Sequence, residues 1–308
     1  MNKRILILSV LFFTVFTLNA CQPANQSSVS PANKKPEIVA TTTIVGDVVA
    51  NIGGDLIDLT VLLPVGTDPH AFDPNPQDVA KISRAALVFA NGAGLERFLE
   101  PLLDSAGALD KIVYVSDGIK LIAAGNSSQN ENSVDPHVWT DPNNVIIWVD
   151  NIEKALSNLD PDHAHRYHTN AAAYKSKLHQ LDSWIKQQVA QIPPENRNIV
   201  TDHLIFSYFA RTYGFRQIGA IIPGYTTLAQ PSAKELASLE DAIAETGTKA
   251  ILVGNTINPN LAERVAQDTG SKLVTIYTGS LSSPQEGAGT YIDYVRYNVE
   301  AIIDALKP

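Results

Sequence analysis

The sequence predicts an α/β protein of two similar lobes, each a mainly parallel sheet flanked by helices, joined by one long rigid helix. Three observations carry this expectation. From Glu37 onward, short apolar runs alternate with amphipathic segments, the pattern left by parallel strands with crossover helices. The alternation occurs twice, once on each side of the middle of the chain. Between the two sets lies a helical pattern much longer than the others, from about Asp162 to Ala190.

In the first set, Ile38–Ile44 reads as a strand and Val45–Ile52 as a helix. Leu59–Leu63, Ala86–Ala90 and Ile112–Val115 read as strands, with helices at Gln77–Ser83 and Leu95–Leu103. Asn143–Leu159 is a further helix. In the long segment, Tyr167, Ala171, Tyr174, Leu178, Leu181, Ile185 and Val189 recur at spacings of three and four, which places them on one helical face. Pro193-Pro194 ends it. The second set has strands at Ile199–Thr201, Phe215–Ile222, Ile251–Val253 and Leu273–Ile276. Its helices are Leu204–Tyr213, Ser232–Thr246, Pro259–Asp268 and Gly289–Leu306. The expected division is an N-terminal lobe over 37–160, a bridging helix over 161–192 and a C-terminal lobe over 193–308. Ligands of such folds bind beyond the carboxyl ends of strands and between lobes.

The N-terminus reads as an export signal. Lys3 and Arg4 precede an apolar stretch, Ile5 to Leu18, too short for a comfortable membrane span. It ends in Leu18-Asn19-Ala20-Cys21, which resembles a bacterial lipobox, so 1–20 is read as signal peptide and Cys21 as the lipidated residue. Asn19 is a less usual residue in that motif. Residues 22–36 are polar, with Pro and Ser, and read as a flexible tether. Cys21 is the only cysteine of 308 residues, so no internal disulfide and no thiolate cluster is possible. The formal charge of −9 argues against nucleic acid as a partner, because neutralising phosphates needs a basic surface.

Three histidines stand at strand-to-loop positions. His70 and His137 each follow Asp-Pro, and His203 follows Asp202 directly. Proline stiffens each of the first two loops, and a nearby carboxylate would accept the second ring N–H and fix the tautomer. Neutral imidazole is a ligand for zinc, copper and nickel. The sequence gaps are long, so the arrangement is no zinc finger.

The chain resembles the zinc- and manganese-binding solute-binding proteins of bacterial ABC transporters, the cluster A-I metal-binding lipoproteins. The resemblance rests on Leu63-Pro64-Val65-Gly66-Thr67-Asp68-Pro69-His70 with Phe72 and Pro74, Asn91-Gly92-Ala93-Gly94-Leu95-Glu96, and Asp135-Pro136-His137-Val138-Trp139. It continues through His203, Phe206, Tyr208-Phe209 and Tyr213-Gly214 to Tyr291 and Tyr297-Asn298. It covers essentially the whole mature chain. It implies a metal held between two lobes, with His70 and His137 as ligands from the first lobe and His203 from the second. Relatives with histidine at the third position usually bind zinc, and those with glutamate there manganese. Three imidazoles suit zinc, whereas manganese favours carboxylates. The resemblance also implies an extracytoplasmic, lipid-anchored monomer, periplasmic or at the cell surface, that delivers zinc, or alternatively manganese, to the permease of an ABC importer.

Two departures stand out. The usual fourth ligand is an aspartate in a stretch like Tyr277-Thr278-Gly279-Ser280-Leu281, and here that point is Gly279. Water or a nearby carboxylate is expected to complete the tetrahedron. The segment Ala123–Val134, often rich in histidine in zinc importers of this family, has none. His163, His165, His168 and His179 on the bridging helix read as solvated residues, Trp139 as packing, and Asn91 and Glu96 as a turn and a helix start. A zinc hydrolase is the alternative from another class, since three histidines and water can be catalytic. No His-Glu-x-x-His motif and no evident general base supports it. An adhesin reading finds no receptor-like surface in the sequence.

Overall fold

The computed structural model describes residues 34–123 and 134–307, so the expected signal peptide, Cys21 and all but the end of the tether lie outside the described residues. In the first half, β1 (Glu37–Ala40), β2 (Asp58–Val61), β3 (Leu87–Ala90) and β4 (Ile112–Tyr114) alternate with α1 (Thr43–Gly53), α2 (Pro76–Arg84) and α3 (Leu99–Ala106). Then come α4 (Pro142–Leu159) and α5 (Ala164–Val189). The second half has β5 (Asn198–Thr201), β6 (Arg216–Ala220), β7 (Ala250–Gly254) and β8 (Lys272–Ile276). Its helices are α6 (Ser207–Tyr213), α7 (Ala233–Thr246), α8 (Asn260–Thr269) and α9 (Tyr291–Leu306).

Both sheets are parallel and share one topology. The first runs β2-β1-β3-β4 and the second β6-β5-β7-β8. In each, the first strand lies where the connections diverge to either side, the switch point at which such sheets bind ligands. The predicted fold class is the observed one.

Strand alternation sorts side chains between layers. Ile38 and Ala40 face a large central core while Val39 faces a smaller one on the outer side of the first sheet. In the second sheet, Ile199, Ala250 and Leu252 face the same central core, and Val200, Ile251 and Val253 face outward to a third cluster. The central core is filled from α1, α4, α5, α6 and α9. α5, 26 residues and about 39 Å long, buries Tyr167, Ala171, Tyr174, Leu178, Leu181, Ile185 and Val189. It packs on α1 and α4 of the first half and on α6 and α9 of the second. Residues 35–308 accordingly form one compact unit.

Several elements are shorter than the apolar pattern predicts, each for a local reason. The first strand stops at Ala40 instead of Ile44, because the Thr42 side chain accepts from the Val45 N–H and caps α1. The helix predicted from Leu95 begins at Leu99, because Glu96 is engaged elsewhere. Its buried carboxylate accepts from the Thr41 hydroxyl at 2.7 Å and from the Asn91 and Gly92 N–H groups at 2.7 and 3.0 Å. Glu96 is thus a clamp on the turn after β3, where Gly92, Ala93 and Gly94 all have positive φ. The helix predicted from Leu204 begins at Ser207, and the Leu204 N–H before it donates to the Gly224 carbonyl at 2.8 Å.

Replacing Glu96 by Ala leaves three buried donors without their acceptor. The expected loss is about 2–4 kcal/mol of unfolding free energy, read from the urea midpoint of wild-type and Glu96→Ala protein.

Candidate metal centre

His70 and His203 lie on loops that follow strands, His70 on the β2–α2 loop and His203 two residues after β5. His137 lies on the segment that leads into α4, just before a single 3-10 turn (Val138–Thr140). Each loop is fixed by a short aspartate turn. Asp68 accepts from the His70 backbone N–H at 2.9 Å, Asp135 from that of His137 at 2.9 Å, and Asp202 from that of His203 at 2.6 Å. Asp141 caps α4 through the Asn143 N–H, with Pro142 at the first helical position.

The side chains converge. Nε2 of His137 lies 3.1 Å from Nε2 of His70 and 3.1 Å from Nε2 of His203. Among the described residues, these three form the one group whose donor atoms could jointly hold an ion, all within 4.8 Å of one another. An ion bonded tetrahedrally to nitrogens at the usual zinc distance sets them about 3.3 Å apart, so the spacing already suits such an ion.

Behind two of the rings stands a carboxylate. Asp135 Oδ1 lies 2.7 Å from His137 Nδ1, and Asp202 Oδ1 lies 2.6 Å from His203 Nδ1. A proton on each Nδ1 then leaves the Nε2 lone pair free to face the cluster. Asp68 differs, since its Oδ1 takes the backbone N–H of His70 and its Oδ2 accepts from the Thr227 hydroxyl. Asp202 Oδ2 also accepts from the Gly254 N–H at the end of β7.

Burial keeps two of the imidazoles, those of His70 and His137, neutral. Desolvation, then the neighbouring His137 and His203, pull His70 down to about 2. Desolvation likewise holds His137, fully buried, well below the ordinary histidine range. Burial raises Asp135 to about 7, against the lowering pull of the His137 N–H. Neutral nitrogens are the form a cation requires.

Gly279 lines the same small cavity as the three histidines, with Pro69, Trp139, Thr256 and Thr278. A Cβ built on Gly279 would stand 2.6 Å from Pro69 Cδ. The β2–α2 loop therefore occupies the space that a side chain at 279 would need. Trp139 packs edge-on to the His137 ring at 5.2 Å and donates to the Thr278 carbonyl. The helix histidines remain apart from the cluster: His163 Nδ1 meets Asp160 at 2.8 Å, and His168 lies 3.9 Å from Glu153.

Two residues make cross-half contacts that were not foreseeable from local sequence. Thr227 reaches Asp68, and Ser280 Oγ accepts from the Gly66 N–H at 2.8 Å while facing the Thr43 hydroxyl at 3.3 Å. No motif marks either residue, because their partners lie far along the chain.

The profile of ZnuA, described as zinc-uptake complex component A, periplasmic, matches residues 38–305. The chain belongs to the ZnuA family. It is 34% identical over 311 residues to the metal ABC transporter substrate-binding lipoprotein SsaB of Streptococcus sanguinis, covering 99% of each chain. It is 32% identical over 285 residues to the manganese-binding lipoprotein MntA of Halalkalibacterium halodurans, covering 92% of this chain and 93% of that one. Among solved structures, the Mn-bound periplasmic metal-binding protein of Candidatus Liberibacter asiaticus superposes with a TM-score of 0.78 at 29% identity. That match covers 88% of this chain and 100% of the other. The periplasmic zinc-binding protein TroA of Treponema pallidum gives a TM-score of 0.80 at 26% identity, covering 89% and 100%. The family is one of metal-binding, substrate-binding proteins of ABC importers, and the chain is a binding protein rather than an enzyme.

Two outcomes are expected. Gly279→Ala forces Pro69 to give way and costs about 1–3 kcal/mol of stability, measured by urea unfolding of the metal-free protein. His70 carries the second, through linkage. Its native pKa is about 2, against about 6.5 unfolded. Its stabilising neutral burial is complete above the unfolded value and is lost progressively as pH falls toward the native one. In metal-free His70→Gln protein, the fall in melting temperature between about pH 7 and pH 4 should be shallower than in wild type.

Proposed function

We propose that this protein captures zinc between its two halves and delivers it to the permease of an ABC importer, with His70, His137 and His203 as the protein ligands. The observation that carries the reading is the convergence of three imidazoles, with His137 Nε2 3.1 Å from Nε2 of both His70 and His203. An all-imidazole set favours zinc over manganese, which prefers carboxylate oxygens. Pro69 stands where a side chain at Gly279 would project, and both oxygens of the nearby Asp68 are already engaged. Water therefore completes the tetrahedron.

The lobes in this reading are 37–160 and 193–308, with 161–192 as the bridge. Export, acylation at Cys21 and a short tether place the monomeric protein outside the cytoplasm, at a membrane surface. The relatives' designation as lipoproteins supports that placement. A firm anchor then keeps the captured ion within reach of the transporter.

A second reading, manganese delivery, is favoured by the names of several relatives, among them MntA and the manganese ABC transporter substrate-binding lipoprotein PsaA of Streptococcus mitis. Metal analysis and competition titration of residues 22–308 separate the two. Stoichiometric zinc that manganese does not displace is the expected result, with affinity in His203→Ala reduced by more than about a hundredfold. Preferential manganese retention would transfer the protein to the second reading. Absence of stoichiometric binding of either metal would remove the delivery role altogether.

A further inference from the structure

A second cavity, about 490 Å³ in volume, opens beside the histidine cluster at the carboxyl ends of β5, β6 and β7. Its size falls within the range of organic-ligand sites, and its place is the switch point of the second sheet, where doubly wound sheets bind their ligands. The walls are mainly apolar, with Ile221, Leu228, Ile257 and Leu261 among them and Thr256 and Asn258 beside these, while Asp68 and Asp202 line it from the cluster side. No Lys, Arg or His is among the described residues that line it. Leu228, 57% exposed, stands at the opening, and the Asp68–Thr227 bond ties its loop to the loop that carries Val65, 53% exposed.

We infer that this cavity receives a basic side chain, a guanidinium or ammonium on an apolar stem, from the membrane subunit of the importer, and that its arrival loosens the bound ion. The inference rests on the delivery role proposed above. Apolar walls fit the stem, and an anionic inner wall with no fixed cation fits the head. Each of these two aspartates braces one of the histidines. Asp202 holds the His203 ring and backbone, and Asp68 holds the backbone of His70. A cation that draws Asp202 toward itself competes with its bond to the His203 ring, and one that draws Asp68 loosens the backbone that carries His70. Release is thereby tied to arrival at the transporter, and the ion stays held elsewhere.

The simplest probe is n-butylguanidine, added to zinc-loaded wild-type protein with a chromophoric chelator as acceptor and equimolar sodium chloride as control. Zinc release should quicken by at least about tenfold, the scale of one charge-assisted hydrogen bond. Ala229→Trp fills the cavity without touching the histidines; it should keep the wild-type zinc affinity and lose the response, while Ala229→Ser keeps both. In cells that depend on this protein for zinc, Ala229→Trp should abolish uptake despite normal binding. Equal acceleration in wild type and Ala229→Trp, no acceleration in wild type, or full uptake with Ala229→Trp would each overturn the inference while leaving metal capture intact. Failure of the wild-type protein to bind zinc or manganese would instead remove the delivery role and this inference with it.

Discussion

An imidazole offers one nitrogen to an ion only when its proton is held on the other. That constraint organises this molecule. Two of its three histidines keep a carboxylate at Nδ1, so the direction of each Nε2 lone pair is set before any ion arrives. The same carboxylates bond the backbone beside the rings, so ring and loop are fixed together. Burying such pairs is costly unless their polar atoms are matched. For Asp202 the surrounding structure supplies the match, the Gly254 N–H that takes its outer oxygen.

The repeated sheet order gives these loops a place to meet. Strand ends from both halves point their following loops to one side of the molecule, and the helices between the sheets fill the space behind them. The interface is closed by polar contacts that join distant segments: Thr43 and Gly66 to Ser280, Asp68 to Thr227, and Trp139 to the Thr278 carbonyl. The spacing of the three imidazoles is thus held by the frame that carries their loops.

Much of this was legible in the sequence, because periodicity records which layer a side chain faces. The apolar run Ile38-Val39-Ala40, buried on both faces of its sheet, and the spacing from Tyr167 to Val189 both reappear as observed burial. Boundaries were less legible. Ile44 is as apolar as a strand residue, but the Thr42 cap assigns it to α1. Leu95 and Glu96 look like a helix start, yet the Glu96 carboxylate serves backbone donors in a turn. The histidines were recognisable from their Asp-containing loops, and the aspartates at Asp135 and Asp202 do stand behind rings. Asp68, in the same local pattern, instead takes a backbone N–H and a threonine hydroxyl from the other half. That difference depends on where Thr227 lies in space, and a linear pattern does not carry it.

The core that α5 shares with both sheets also limits how such a protein can diversify. A change at Tyr174 or Ile185 is felt by helices of both halves at once, so the interior offers few independent positions for adjusting the distance between strand ends. His70, His137 and His203 are not members of that apolar core, although Val138, Trp139, Ile205 and Phe206 beside two of them are, so a donor can be exchanged more freely than its neighbours. New cargo preferences should therefore arise by exchanging donors at the loop tips, with the frame inherited nearly unchanged across lineages that carry different ions.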